Sequence, residues 1–213
     1  MECEKMRIIR VPVGVYITNC YIVEGEQKGH GFLVDPADDA DRLISVLEKE
    51  NISPEAILLT HGHYDHILAV PKLQERWKDI PVYCNASDIP KEKTEYDMGQ
   101  VFPTVAAFEN IRTIEEGQQL QIAGTDLKVM CTPGHTPGSV LFLAKDVIFT
   151  GDTIFQGSIG RTDFDGGNER QMMQSLRKIK NLAIEDITLC PGHGDTTTLK
   201  WERAHNSYLR ICG

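Results

Sequence analysis

The chain lacks any apolar run approaching the ~18 residues that a membrane-spanning helix needs, so no membrane partner is expected. Its first residues, MECEKMRIIRVPVG, carry charges but no apolar core and no cleavage site, and do not read as a secretory leader. A C-x-x-C pair is also missing. The six cysteines, at 3, 20, 84, 131, 190 and 212, are irregularly spaced, several within apolar strand-like runs. That pattern predicts reduced, buried thiols in a cytoplasmic protein rather than a disulfide framework. Positive charge is in deficit: the net charge of −9 argues against a phosphate-backbone partner, and nucleic acid is not expected. No low-complexity linker or short-period repeat interrupts the chain. What remains is 213 residues of ordinary globular composition, 41% hydrophobic and 25% charged. One domain spanning 1–213 is expected, able to bury about 70% of its unfolded surface without disulfides.

Alternating apolar residues at Val11, Val13 and Val15 predict a first strand, followed by Asn19–Val23 and, after a Gly25–Gly29 turn, Gly31–Asp35. Helical spacing of Ala40, Leu43, Ile44 and Leu47 predicts a helix over 38–49. Ala56–Leu59 reads as a buried strand. Ile67–Trp77 reads as a helix with Pro71 in its first turn. A polar helix is expected over Ser87–Met98, and strands at 82–84, 119–123, 126–131, 139–144 and 146–150. Helix 168–180, strand 186–190 and a final helix 199–209 complete the pattern. Two halves of alternating strands and helices suggest sheet packed on sheet, with helices on both outer faces.

The strongest signal is positional. The run AILLT ends at His61-Gly62-His63-Tyr64-Asp65-His66, and LKVMCT at Pro133-Gly134-His135. VIFT ends at Gly151-Asp152, and ITLC at Pro191-Gly192-His193. Four strands thus deliver metal-capable side chains just past their C-terminal ends, where ligands remote in sequence can converge. Imidazole and carboxylate suit a divalent ion: zinc first, with iron and manganese also compatible. In an extended turn His61 and His63 point the same way and can reach one ion. Asp65 and His66, at the mouth of the next helix, can address a neighbouring ion, and the two oxygens of Asp152 can bridge. A lone histidine is usually a surface or satisfied core group, and His30 and His205 are read so. A lone Asp after a strand is usually a turn former. Five of the seven histidines in three strand-end clusters are not explained that way.

The segment THGHYDH resembles the HxHxDH signature of the metallo-β-lactamase superfamily, and CTPGHTPGS, FTGDT and CPGHG resemble its later motifs in order. The resemblance spans nearly the whole chain, including NCYIV. It implies a four-layer αββα sandwich. It also implies one metal on His61, His63 and His135, a second on Asp65, His66 and His193, and Asp152 between them. Antibiotic-degrading members typically carry Cys in place of Asp152 or lack the equivalent of His66. Both residues are present here, as in the glyoxalase II-like branch, and GSIGRTDFDGGN (157–168) resembles the loop of its short members. Full-length members carry a C-terminal helical domain that helps hold glutathione. Only 20 residues follow His193, so no such domain is expected.

The activity implied is hydrolysis of a small thioester, such as a hydroxyacyl-glutathione. A hydroxide bridging two cations would attack the carbonyl, and the thiolate would leave with little acid assistance. Asp65 is also a candidate to orient that hydroxide. Arg161 is a candidate clamp for a substrate carboxylate. The competing reading pairs it with Asp163 or Asp165 to shape the loop. Tyr64 is a candidate pocket wall; the competing reading is packing or support behind the ligands. Alternatives on the same ligands are a mononuclear-iron persulfide dioxygenase, a lactonase or phosphodiesterase, and a silent metal-binding scaffold.

Overall fold

The computed structural model describes residues 6–89, 105 and 107–212, and the backbone of 96–97 and 100–101. The first half runs β1 (Arg7–Val13), β2 (Thr18–Glu24), β3 (His30–Val34), α1 (Ala40–Glu50), β4 (Ser53–Leu58), α2 (Val70–Arg76) and β5 (Val82–Asn85). A two-stranded ribbon, β6 (Tyr96–Asp97) and β7 (Gln100–Val101), precedes β8 (Ile111–Ile114). The second half holds β9 (Gln119–Ile122), β10 (Thr125–Cys131), β11 (Val140–Leu143), β12 (Val147–Gly151), the hairpin β13 (Ile154–Phe155) and β14 (Ser158–Ile159), and α3 (Glu169–Lys180). It closes with β15 (Thr188–Pro191), β16 (Thr197–Thr198), α4 (Leu199–His205) and α5 (Ser207–Ile211).

Two six-stranded sheets result, ordered β1-β2-β3-β4-β5-β8 and β16-β15-β12-β11-β10-β9. In the first, β3, β4, β5 and β8 run parallel; in the second, β12 and β15 are the parallel pair. Alternation along the strands explains the layering. Phe32, Val34, Ala56 and Leu58 face Leu127, Val129, Phe142 and Phe149 of the other sheet. Their neighbours Leu33 and Ile57 turn outward onto Leu43, Leu47, Val70 and Leu73 of α1 and α2. On the opposite side Leu141, Ile148 and Leu189 pack on Met172, Leu176 and Ile179 of α3 and on Leu199 and Leu209. The fold is therefore the expected αββα arrangement of two sheets between helices. No helix among the described residues is long and apolar enough to cross a membrane.

Most expected elements form within a residue or two. Asp39 caps α1 by accepting from the Arg42 amide, and Asn168 caps α3 by accepting from the Gln171 amide. Pro71 sits in the first turn of α2. Other expectations need correction. Val15 belongs to an exposed turn rather than to β1. The helix expected over Ser87–Met98 is not present where the structure describes that stretch: Ala86–Asp88 is a single 3-10 turn, Tyr96–Asp97 is a strand, and 90–95 and 98–99 lie outside the described residues. The last helix breaks at Asn206, which caps α5 through the Tyr208 amide while its own amide donates to Glu202 and to the Ser158 carbonyl. Strand β8, sequence IRTI, went unannounced because only its two ends are apolar. Among the described residues five cysteines are free, and all but Cys131 are buried.

Candidate metal centre

The C-terminal ends of β4, β10, β12 and β15 meet at one edge of the sandwich. Beyond β4 the chain turns through His61 and His63 into a 3-10 turn, Tyr64–His66. His61, His66 and His135 are almost fully buried there. Three ring nitrogens converge: His63 Nδ1 lies 3.1 Å from His61 Nε2 and 2.9 Å from His135 Nε2. A second group forms beside it. His193 Nε2 lies 3.4 Å and His66 Nε2 3.7 Å from the same Asp65 oxygen. Asp152 joins the two groups. Its Oδ1 is 3.5 Å from His66 Nε2, and its Oδ2 is 3.5 Å from both His135 Nε2 and His193 Nε2. All seven side chains singled out from the sequence are thus brought together.

The inward nitrogens are set by what holds the outward ones. His61 Nδ1 meets Thr60 Oγ1 at 3.1 Å, and that hydroxyl donates to Asp35 at 2.6 Å. His66 Nδ1 meets the same Asp35 oxygen at 3.0 Å. His135 Nδ1 donates to the Arg161 carbonyl at 2.7 Å, and His193 Nδ1 to the Tyr16 carbonyl at 3.2 Å. Each of these rings therefore turns its Nε2 toward the centre. The early NCYIV strand holds the His193 loop in place: the Asn19 amide donates to the carbonyls of Pro191 and Gly194, and the Tyr21 hydroxyl donates to Pro191. Gly192 is required by close approach, because a Cβ there would stand 2.2 Å from Asp152 Oδ1 and 2.6 Å from His66 Cε1.

The electrostatics split in the same way. Burial, reinforced by the neighbouring imidazoles, pushes His61 well below the usual histidine range and His63 down to about 4. Burial also opposes a charge on His66 and His193, but the carboxylates of Asp65 and Asp152 outweigh it, aided at His66 by Asp35. They hold His66 at about 9 and His193 at about 10. Burial likewise opposes ionisation of Asp65 and Asp152, and the adjacent histidines overcome it, lowering both.

Divalent metal fits this arrangement. His66 Nε2 and Asp152 Oδ1 are buried with no hydrogen-bond partner, which is costly unless something else satisfies them. Nitrogen and oxygen donors within 4.8 Å of one another occur as His61–His63–His135 and as Asp65–His66–His193. A third combination, Asp35–His61–His66, reaches the same distance, but Asp35 already accepts from the amide and hydroxyl of Thr60 and meets His66 Nδ1. Its place is behind the ligands.

Around this centre stand groups the sequence reading did not single out. Asp35 follows the run GFLV and carries the same strand-end signal as the seven. Phe164 lies 5.7 Å from the His63 ring and 6.2 Å from His135; Phe155 lies 6.0 Å from His193. Tyr64 is partly buried and packs against the core beneath α1 and α2, its ring edge-on to Tyr16 at 6.0 Å, so the packing considered beside the pocket wall is present. The Arg161 guanidinium makes two bonds of 2.9 Å to Asp163 and lies 4.1 Å over the Phe164 ring, so the internal loop pair considered beside the clamp is present.

Fold and site define a member of the metallo-β-lactamase superfamily, and the chain belongs to it: the superfamily's model matches residues 13–193. Members of this superfamily are hydrolytic enzymes that use divalent metals. The chain is 33% identical to the hydroxyacylglutathione hydrolase GloC of Haemophilus influenzae, over 96% of this chain and 98% of that one. It superposes on the crystal structure of BLEG-1, a B3 metallo-β-lactamase, with a TM-score of 0.84 at 34% identity, covering 95% of this chain and 99% of that one. A di-iron-bound form of TTHA1623 gives a TM-score of 0.80 at 34% identity, covering 94% and 100%.

Proposed function

We propose that the chain is a binuclear metal-dependent thioester hydrolase acting on a small hydroxyacyl thioester of the glutathione kind. The observation that carries this reading is Asp152, whose two carboxylate oxygens face both donor groups at once. Ions held there supply a hydroxide near neutral pH and a Lewis acid for a carbonyl oxygen. His61, His63 and His135 hold one ion, and Asp65, His66 and His193 the other. Zinc is the first candidate, and the di-iron relative supports iron as the alternative. Asp65, fixed by a 3.1 Å bond from the Thr18 hydroxyl, also orients the attacking oxygen. The Phe155 and Phe164 rings restrict water beside the ligands. Arg161 and Tyr64 are the substrate contacts at the rim, with the guanidinium exchanging Asp163 for a substrate carboxylate. A thiolate leaving group, with a pKa of about 8.5, departs without a dedicated acid.

The test is turnover of S-lactoyl-glutathione by metal-loaded protein, with metal content measured alongside. Asp152→Ala is expected to lower turnover by at least about a hundredfold and to reduce bound metal. Full activity in that variant, or no thioester turnover by metal-replete wild type, overturns the reading. The resemblance to BLEG-1 makes a β-lactam amide the competing substrate, and a preference for it in the same assay replaces the thioester.

A further inference from the structure

The mechanism leaves one buried carboxylate near the centre unused. Asp88, only 9% exposed, sits in the turn after β5, remote in sequence from every ligand. Among the described residues it accepts three hydrogen bonds. The Gly62 amide reaches Oδ2 at 3.1 Å, the Thr136 hydroxyl reaches the same oxygen, and the Gly138 amide reaches Oδ1 at 2.8 Å. Gly62 lies between His61 and His63, and Thr136 directly follows His135. Among the described residues, every donor to Asp88 therefore belongs to a loop carrying His61, His63 or His135. None belongs to the loop of His193 or to the Asp65–His66 turn. Contact is close enough to restrict the residue types: a Cβ on Gly62 would stand 2.2 Å from the Asp88 carbonyl oxygen. Thr136 is held a second time, its amide donating to Ser139 Oγ at 3.1 Å and its hydroxyl meeting that oxygen at 2.7 Å.

The other buried support works differently. Asp35 meets His66 directly and His61 through Thr60, so it serves both donor groups. Among the described residues Asp88 makes no hydrogen bond to a candidate ligand ring. It ties the backbone of the His61–His63 turn to the backbone of the His135 loop, setting the spacing of three nitrogens that come from different sheets.

The geometry points to Asp88 as a positioning residue dedicated to one ion, the one held by His61, His63 and His135. This rests on the two-ion reading above. Asp88→Asn keeps the size of the side chain but turns one acceptor into a donor that faces an N–H or O–H. The variant is expected to bind one of the two ions about 10–100-fold more weakly and the other as wild type does. Asp35→Asn, by contrast, weakens both.

The experiment is titration of metal-free protein with cobalt(II), read by its visible absorption and by metal stoichiometry. Circular dichroism of the metal-free variants checks that they fold. Asp88→Asn binding both ions as wild type does, or losing both equally, overturns the proposal. If Asp88→Asn does not fold, Thr136→Val and Thr136→Ser decide. The first removes the hydroxyl donor and weakens the same ion, and the second keeps it and restores binding; equal behaviour of the two overturns the proposal. A wild-type chain that takes up a single ion overturns the two-ion reading instead. Asp88 is then scored on that ion, and unchanged affinity in Asp88→Asn overturns it as well.

Discussion

A side chain's worth at this centre depends on where its proton sits before metal arrives. His61 and His63 are already neutral at pH 7, with His63 at about 4, so they accept an ion without losing anything. His66 and His193, at about 9 and about 10 through their carboxylate neighbours, carry protons that an ion must displace. Filling the Asp65–His66–His193 group at pH 7 is therefore expected to release two imidazole protons. Calorimetric titration in two buffers of different ionisation enthalpy reads this directly, and identical heats in both would remove the argument. The same shifts have a consequence for the metal-free fold. Raised histidines stabilise it below their ordinary pKa of about 6.5, and that contribution is lost as pH rises through about 9–10. Depressed Asp65 and Asp152 stabilise it above about 4, and theirs is lost toward acid. At this scale the sequence was legible where a donor type met a strand end, which marks all seven. Asp88 had no such mark: it lies in a polar stretch, and its role appears only when two distant loops close on it.

An element can serve the site by its backbone and by its side chains independently, and on the proposed reading the loop between β14 and α3 does both. Its Arg161 carbonyl receives His135 Nδ1, a bond that any residue at 161 would supply. The guanidinium instead pairs with Asp163 and covers Phe164, whose ring lies beside those of His63 and His135. Arg161→Ala is accordingly expected to leave metal content and kcat within about twofold while raising KM about tenfold for a substrate bearing a carboxylate. A fall in kcat with KM unchanged would remove the clamp and leave only the loop pair. Element prediction succeeded where periodicity was sustained, as in α1 and α3, and failed where tertiary partners decide. Asn206 divides the last helix because Glu202 and the Ser158 carbonyl offer its side chain a buried anchor, which no local pattern signals. Tyr96–Asp97 pairs with Gln100–Val101, although its sequence reads as helical and polar.

The whole molecule is joined at the centre, because the candidate ligands do not belong to one sheet. His61, His63, Asp65 and His66 follow β4 of the first sheet; His135, Asp152 and His193 follow β10, β12 and β15 of the second. Separation of the sheets during unfolding scatters both donor groups, so an ion that binds the folded state must stabilise the entire sandwich. At free metal about 100 times the dissociation constant, each ion adds about 2.7 kcal/mol. For a chain of this size 1 kcal/mol moves the melting temperature by about 2–4 °C. Chelation is therefore expected to lower the Tm by about 5–11 °C for each ion removed, with one cooperative transition retained and full recovery on adding metal back. The aromatic packing of Tyr21 and Phe32 on Phe149, at 5.5 and 6.4 Å between ring centroids, lies in the inter-sheet core and involves none of the candidate ligands, so the metal-free chain is expected to remain folded. Scanning calorimetry with and without chelator measures the shift. A Tm that stays fixed while metal analysis shows the ions gone would mean that the two sheets hold the site open without them, and the coupling argued from the ligand origins would fail.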